Sequence, residues 1–530
     1  MAFLSPKWYQ FLVSCFAALG SFTYGYDLGV IAQVVASDSF LALFNPTTNE
    51  NGAVVALFTG GAFFGAFFAS FMSDLLGRRG TIVGATILFV VGGVVQAAAQ
   101  ALSYMHAGRF IAGVGVGIYC MIIPLYQAEL CHPSIRGRVT ALQQFFLGIG
   151  SLIASWVGYG CYLGFGPTNS NQFRVPLGIQ VIPAGILGLL IFFFPESPRW
   201  LIKKGRVESG LKTLARLHAN DDVEDPFVRV QFEQIIEEVE LEKEQAAHSW
   251  VQLFRNKNNF RRILICTSIQ ASVQMTGVSA IQYFSPTIFK QIGLTTGQTL
   301  LYQSINSIIA LVAQACCVLF IDYTGRRWVL ISGNLGNCVM FIVATILLAE
   351  FPAGESNNRS AQIGFIASTW IYNFIFSACC GPLSWIIPAE SFNIATRSKG
   401  VSLSSMVSFA FNTMIGQVTD KAIADVGYKY FYLFIVCNFT NALWFWAILP
   451  ETGRTPLELM DTLWSETPWF IPTARTNRDY LKELQSQTQE LELKTEHSHI
   501  ETAPGAKENV SHVTAEEDAQ RALENKQQAV

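Results

Sequence analysis

The feature that most constrains this chain is a series of apolar stretches, each about as long as a membrane-spanning helix. Only 14% of the 530 residues are charged, against about 25% in soluble domains. A bilayer forces the backbone to satisfy its own hydrogen bonds, and stretches of about 20 residues without strict alternation favour helices over a barrel. We therefore predict an all-α membrane protein with twelve transmembrane helices. The stretches fall at 11–35, 52–73, 81–101, 107–130, 139–162, 176–195, 260–284, 298–321, 328–349, 362–388, 400–418 and 428–449.

The spacing of these stretches predicts two six-helix halves and two polar segments. We expect an N-terminal half at 1–195, a cytoplasmic linker with amphipathic helices at 196–259, a C-terminal half at 260–450, and a largely disordered cytoplasmic tail at 451–530. Lys and Arg concentrate in alternate connections, which by the positive-inside rule face the cytoplasm together with both termini. The N-terminus lacks the basic start of a cleavable signal peptide, so the first span is expected to remain.

An internal repeat relates the two halves. Asp-x-x-Gly-Arg-Arg follows the second span at Asp74 and the eighth at Asp322. A Glu is followed seven residues later by an Arg after the fourth span and again after the tenth, and a Pro-Glu pair ends the sixth and twelfth spans. Three motifs in the same order and at similar offsets indicate pseudo-symmetric halves, the architecture of alternating-access transporters with a midplane site.

We interpret the repeated charges as cytoplasmic gating clusters. The alternative is that they only set topology, which explains the Arg residues but not the acids at fixed spacing. The predicted gating residues are Asp74, Arg78, Arg79, Glu129, Arg136, Glu196, Arg199, Asp322, Arg326, Arg327, Glu390, Arg397 and Glu451.

The order of these motifs resembles the sugar porter branch of the major facilitator superfamily, in its fungal-like proton–sugar symporter and hexose facilitator types. The resemblance runs over about 25–454 and covers nearly all of the membrane part. Besides the repeats, it is carried by Gly25-Tyr26-Asp27, Gly108-Arg109-Phe110, Gly381-Pro382 with Trp385, and Pro450-Glu451-Thr452. It implies a twelve-helix fold and transport of a monosaccharide or related polyol.

A sugar site needs amides, hydroxyls and an aromatic face, because the substrate offers many hydroxyls and no charge. The resemblance implies that the substrate contacts Gln144, Gln274, Ser279, Trp385 and Asn412. Polar groups in apolar helices are expected to face the protein interior. Hydrogen bonding between helices without a ligand is the alternative, especially for Asn412.

The chain departs from the family pattern at several positions in the C-terminal half. Small or apolar residues replace amides or an acid at Val273, Ser279, Ala310, Ser377 and Ser408, although Asn306 lies one turn before Ala310. A site with fewer amides is expected to hold glucose less firmly or to hold another polyol.

Asp27 and Arg109 are charges well inside predicted spans, where pairing or function is the default expectation. In proton-coupled relatives the matching residues form the coupling pair, so the resemblance favours proton symport. A permanent structural salt bridge, and hence an uncoupled facilitator, is the alternative.

Other functional classes find little support in the sequence. No nucleophile–base grouping, metal-ligand spacing or phosphate-binding Gly loop is present, so we expect no enzyme activity, metal or cofactor. Expected partners are the substrate, protons and the bilayer around a monomer, without nucleic acid. A sugar-sensing receptor remains an alternative. The sequon at Asn358 in a predicted outer loop favours the plasma membrane.

Overall fold

The computed structural model describes residues 6–245, 254, 256–351, 358–392, 394–453, 463–465 and 467–473. The chain divides into two units, Met1–Trp469 and Phe470–Val530. Most of the predicted tail at 451–530 is not among the described residues. Arg136, Asp322 and Arg397 belong to described helices, but their side chains are not among those described.

The N-terminal half is a run of helices whose bounds follow the predicted stretches. Span 1 is Leu19–Ala36, preceded by Pro6–Ala17; spans 2 and 3 share Thr48–Ala97; span 4 is Leu102–Leu130; span 5 is Pro133–Gly164; and span 6 is Asn171–Ile179 with Val181–Leu190. A short helix, Asp38–Phe44, follows span 1.

The C-terminal half repeats this order after three further helices, Pro198–Lys203, Val207–His218 and Pro226–Gln245. All three lie within the predicted linker at 196–259. Span 7 is Lys257–Met275 with Val278–Lys290; span 8 is Thr296–Thr324; span 9 is Arg327–Glu350; span 10 is Arg359–Ile375, Phe376–Cys380 and Gly381–Ser391; span 11 is Ile394–Val426; and span 12 is Phe431–Ile448.

Length and hydropathy identify nine membrane-length helical segments among the described residues, or ten with one bent pair. Two of the nine, Thr48–Ala97 and Lys399–Ile448, are 50 residues long, enough for two crossings each at 1.5 Å per residue. Each of them holds a break near its middle, at Gly77 and at Gly427–Tyr430. The fold is therefore the predicted twelve-span, all-α arrangement.

Local backbone structure repeats at the same offset in the two halves. Thr47 and Thr295 each begin a span with a reciprocal capping box, which satisfies orphan helix N–H groups. Gly77 and Gly325 have φ of 79° and 78° with ψ of 178°, a region essentially restricted to glycine. Each glycine turns the chain between two consecutive spans.

Small residues let spans of the N-terminal half pack backbone to backbone. A side chain at Gly113 or Gly117 of span 4 would overlap the carbonyl groups of Phe58 and Ala62 in span 2. Close approach of this kind replaces the hydrophobic effect, which does not drive helix association in lipid.

Two spans of the C-terminal half are discontinuous near their middle. Span 7 breaks at Gly277, whose φ is 96°, and span 10 contains one turn of π-helix at Phe376–Cys380. Irregular backbone at membrane depth is tolerated where it lines a cavity, and π-turns are frequent at functional sites. Both breaks lie beside the cavity described next.

Candidate substrate site and intramembrane charge pair

A central cavity of about 150 Å³ lies between the two halves. The five residues predicted to contact substrate, Gln144, Gln274, Ser279, Trp385 and Asn412, all line it. The lining also includes Tyr24 and Leu28 from span 1 and Phe409 from span 11. The structure thus brings the predicted polar and aromatic groups to one place, and their part in binding stays a prediction.

Three of the lining side chains form a small hydrogen-bond network across spans 7 and 11. Gln274 Nε2 donates to Ser408 Oγ at 3.0 Å, and Ser279 Oγ donates to Gln274 Oε1 at 2.6 Å. The serines at two departure positions therefore orient the amide of Gln274. The two serines that stand where the family has amides are thus hydrogen-bond partners of Gln274, and they compensate for part of the predicted loss of amides.

The cavity contains amides that the sequence analysis did not select. Along span 8 the lining residues recur with helical spacing, which is the signal that a periodicity test of this span would have found. On span 8 they are Gln303, Asn306, Ser307, Ala310 and Gln314, and the amides among them that were not named from the sequence are Gln303 and Gln314. Gln270 and Gln282 of span 7 and Asn373 of span 10 are further lining amides of this kind.

Several of these amides present acceptors that the protein itself does not satisfy. The buried Oε1 atoms of Gln270, Gln303 and Gln314 and the Oδ1 of Asn412 have no hydrogen-bond partner in the structure. Gln270 is oriented by its donation to the carbonyl of Ser384 at 2.9 Å, so its oxygen is the group left free. Buried acceptors without partners are costly unless a bound molecule or water supplies donors.

The predicted charge pair forms inside the N-terminal half. Arg109 Nη1 lies 2.7 and 2.8 Å from the two carboxylate oxygens of Asp27, and both residues are fully buried. Arg109 Nε donates to the carbonyl of Val54 at 3.0 Å, and its guanidinium lies 4.4 Å from the ring centroid of Phe58. Asp27 is flanked on span 1 by cavity-lining residues one position after it and one turn before it.

Residues 13–464 match the family described as "Sugar (and other) transporter". The chain belongs to this family. Similar curated proteins include "MFS-type transporter criB" of Aspergillus cristatus, 31% identical over 86% of this chain and 94% of its own length. A high-affinity glucose transporter of Kluyveromyces lactis is 30% identical over 89% and 88%, and a quinate permease of Neurospora terricola is 29% identical over 87% and 90%.

Solved structures support the fold of this sugar transporter family member. A proton:xylose symporter, XylE, bound to 6-bromo-6-deoxy-D-glucose matches with a TM-score of 0.73 at 24% identity, over 86% of this chain and 99% of the other. At that identity the match establishes the major facilitator fold alone. Together with family membership it makes the chain a multi-pass membrane transporter of the sugar type, not an enzyme.

The two halves of the transporter contact each other on the side where spans 2 and 8 begin. Asn51 Nδ2 donates to Asp420 Oδ2 at 3.0 Å, and the hydroxyls of Thr59 and Thr413 lie 2.8 Å apart. On the other flank, Ser304 Oγ donates to the carbonyl of Ser155 at 3.1 Å. Alternating access requires such contacts to break when the cavity opens toward this side.

The predicted gating residues lie at the opposite ends of the spans, where the first cluster ties three helix ends together. Arg78 donates to both carboxylate oxygens of Glu129 at 2.7 and 2.6 Å. Glu196 accepts the backbone N–H groups of Arg78 and Arg79 at 3.0 and 3.2 Å. Burial raises the pKa of the Glu196 carboxyl, and the backbone donors oppose that rise.

The second cluster repeats these contacts in the C-terminal half. Glu451 accepts the N–H groups of Arg326 and Arg327 at 2.7 and 3.0 Å, and Arg326 Nη2 lies 3.3 Å from Glu390 Oε1. The second arginine of each motif also donates to a backbone carbonyl: Arg79 Nη2 to the carbonyl of Phe192, and Arg327 Nη2 to that of Trp446.

The described contacts of each cluster join span ends of one half to each other and to the segment that directly follows that half. Asp74, which is well exposed, faces Lys203 at 3.5 Å, and Arg199 lies in the same short helix as that lysine. The clusters as described therefore fix the helix ends of each half relative to one another. Arg136, Asp322 and Arg397 lie outside the described side chains.

Proposed function

We propose that this transporter carries a neutral monosaccharide or related polyol in symport with protons, by alternating access around the central cavity. The chemical nature of the cavity lining is the observation from which we infer the substrate class. The lining consists of amides, hydroxyls, aromatic rings and aliphatic side chains, and none of the described lining residues is acidic or basic. Such a lining suits a solute with many hydroxyls and no net charge.

The free acceptors of the cavity support the same class. Gln270, Gln303 and Asn412 each hold a buried amide oxygen without a donor. Polyol hydroxyls can donate to such oxygens, whereas a carboxylate brings only further acceptors. Although quinate permeases are among the relatives, a hydroxy-acid anion would lack a positively charged partner in this lining.

Proton coupling is proposed from the position of the Asp27–Arg109 pair. A fully buried carboxylate with an arginine partner is expensive to place in a membrane and is commonly functional. Tyr24 and Leu28 belong to the cavity lining, so a movement of span 1 on substrate binding would act directly on Asp27. Protonation of Asp27 would release Arg109 and link the charge state of the pair to cavity occupancy.

The cytoplasmic clusters are proposed to act as gating elements that stabilise each half as a rigid body. The division into halves at 1–195 and 260–450, with cytoplasmic segments at 196–259 and 451–530, belongs to this proposal. So do monomeric function, a plasma-membrane location and cytoplasmic termini. The cytoplasmic termini are supported by the Arg-rich connections on one side, and the plasma-membrane location is supported by the sequon at Asn358.

The direct test is uptake by the purified protein in liposomes. Radiolabelled D-glucose, D-xylose, sorbitol, myo-inositol and quinate are offered with and without an inward proton gradient, and empty liposomes give the background. We expect uptake of at least one neutral probe, stimulation by the gradient, and little uptake of quinate.

Each departure from that pattern selects an alternative. Uptake of a neutral probe that ignores the gradient identifies an uncoupled facilitator. Binding of a neutral probe without uptake identifies a sugar-sensing receptor. Preferential uptake of quinate refutes the neutral-substrate assignment.

A further inference from the structure

We propose that Gln314 of span 8 is a specificity-determining residue, whose amide oxygen accepts a substrate hydroxyl and whose position is set by Gly148 of span 5. The inference rests on the proposed neutral polyol substrate. It adds to the site a residue that neither the family motifs nor the sequence pattern selected.

Gln314 reaches from the C-terminal half to the N-terminal half. Both Gln314 and Gly148 line the central cavity. A methyl group on Gly148 would overlap the amide oxygen of Gln314, and it would lie 3.1 Å from the carbon that bears this oxygen. The missing side chain at Gly148 therefore creates the space that the Gln314 amide occupies.

The oxygen of Gln314 is an acceptor without a partner in the protein. It is buried, and the residue faces the cavity. Desolvating an acceptor without a partner is unfavourable, so a donor from a bound molecule would be strongly preferred there.

Neighbouring positions explain why this amide would matter. Gln144 lies one helical turn before Gly148 on the same face of span 5, and Ala310 lies one turn before Gln314 on span 8. The resemblance led us to expect an amide at position 310, where Ala310 has none. The longer side chain of Gln314 brings an acceptor from the next turn and directs it toward the span that carries Gln144.

The experiment measures binding of D-glucose, D-xylose, sorbitol and myo-inositol by isothermal titration in detergent, on the full-length protein. Gln314→Met removes the acceptor while keeping side-chain length. Gly148→Ala keeps the Gln314 side chain but displaces its amide group from its present position. Gly160→Ala on the same helix is the matched control, because nothing lies within 4 Å of the added methyl group.

We expect Gln314→Met to raise the Kd of the best neutral probe by about 3- to 10-fold, the loss of one neutral hydrogen bond. Gly148→Ala should have a similar effect, and Gly160→Ala none. In the Gln314→Ala background, Gly148→Ala should add nothing further, since residues acting through one contact are not additive. If the protein binds glucose, the monodeoxy-D-glucose that lacks the hydroxyl contacted by Gln314 should bind to Gln314→Met and to the wild type with the same Kd.

An unchanged Kd in Gln314→Met overturns the assignment. Additive effects of Gly148→Ala and Gln314→Ala refute the positioning role of Gly148, and an equal loss for every deoxyglucose means a packing role instead of hydroxyl recognition. If wild-type protein binds none of the four neutral probes, the proposed function itself fails, which is distinct from failure at Gln314.

Discussion

Replacing Asp27 by Asn tests the coupling mechanism most directly. Asn has nearly the size of Asp but cannot ionise, so it imitates a permanently protonated carboxyl. The substitution removes the charge that receives both Arg109 contacts at 2.7 and 2.8 Å. Arg109 then keeps its bond to the Val54 carbonyl and its contact with the Phe58 ring, and its remaining acceptor at position 27 is a neutral amide oxygen in place of a carboxylate. In a symporter, Asp27→Asn should abolish uphill accumulation and the acid stimulation of uptake.

The structural cost of this change can be estimated from burial. Both members of the pair are fully buried, and breaking a buried ion pair from one side costs about 3–5 kcal/mol because one charge is left uncompensated. Asp27→Asn should therefore lower the unfolding temperature in detergent. A second variant, Asp27→Asn with Arg109→Gln, removes both charges and should recover part of that loss while remaining uncoupled.

The assay compares uptake in proteoliposomes between about pH 5 and pH 8, with and without a protonophore, and adds sugar–sugar exchange. Exchange needs no net proton movement, so it should survive in Asp27→Asn. If wild-type uptake ignores both pH and protonophore, the symport reasoning is wrong and Asp27 is structural. Accumulation that persists in the folded Asp27→Asn protein would likewise rule out this carboxyl as the proton carrier.

Three further changes test the site, the clusters and the linker. Gln144→Ala should raise the Kd of a neutral sugar by the equivalent of about 0.5–1.5 kcal/mol without loss of expression, and an unchanged Kd for every probe would contradict its role. Arg78→Ala should slow transport more than it weakens equilibrium binding, because its bonds to Glu129 lie away from the cavity; equal losses in both would contradict a gating role. Burial, then the nearby His132 ring, lowers the pKa of His218 from 6.5 to about 4. The unfolded chain thus binds this proton at higher pH, and stability should fall as pH drops from about 6.5 toward 4. Thermal unfolding of His218→Gln should show a smaller fall over that window, and an identical pH profile would refute the assignment.

The two arginine–glutamate clusters show how a duplicated sequence becomes duplicated chemistry. In each half a glycine with φ near +79° ends one span, and the next two residues donate their N–H groups to a single glutamate. The turn needs glycine because other residues rarely adopt this conformation. The glutamate satisfies helix N-terminal donors and stabilises them electrostatically.

The sequence by itself determined the membrane class, the twelve spans and the duplication. These properties are local, because the hydropathy of about 20 consecutive residues decides whether a helix can cross a bilayer. The positions of the glycine-arginine turns, and the Asp27–Arg109 pair named from the resemblance, were also available from sequence. The structure brought that pair together at hydrogen-bond distance.

Only the tertiary structure decided which amides share the cavity. Gln144 and Gln314 are 170 residues apart in sequence, and nothing local shows that their helices face each other. The departures at Val273 and Ala310 suggested a depleted site, whereas the packed helices bring Gln270, Gln303 and Gln314 to the same lining. Helical periodicity fixes which residues share a face, but the neighbour of that face is set by packing between distant spans, where a single absent side chain, as at Gly148, determines how close two helices and their amides come.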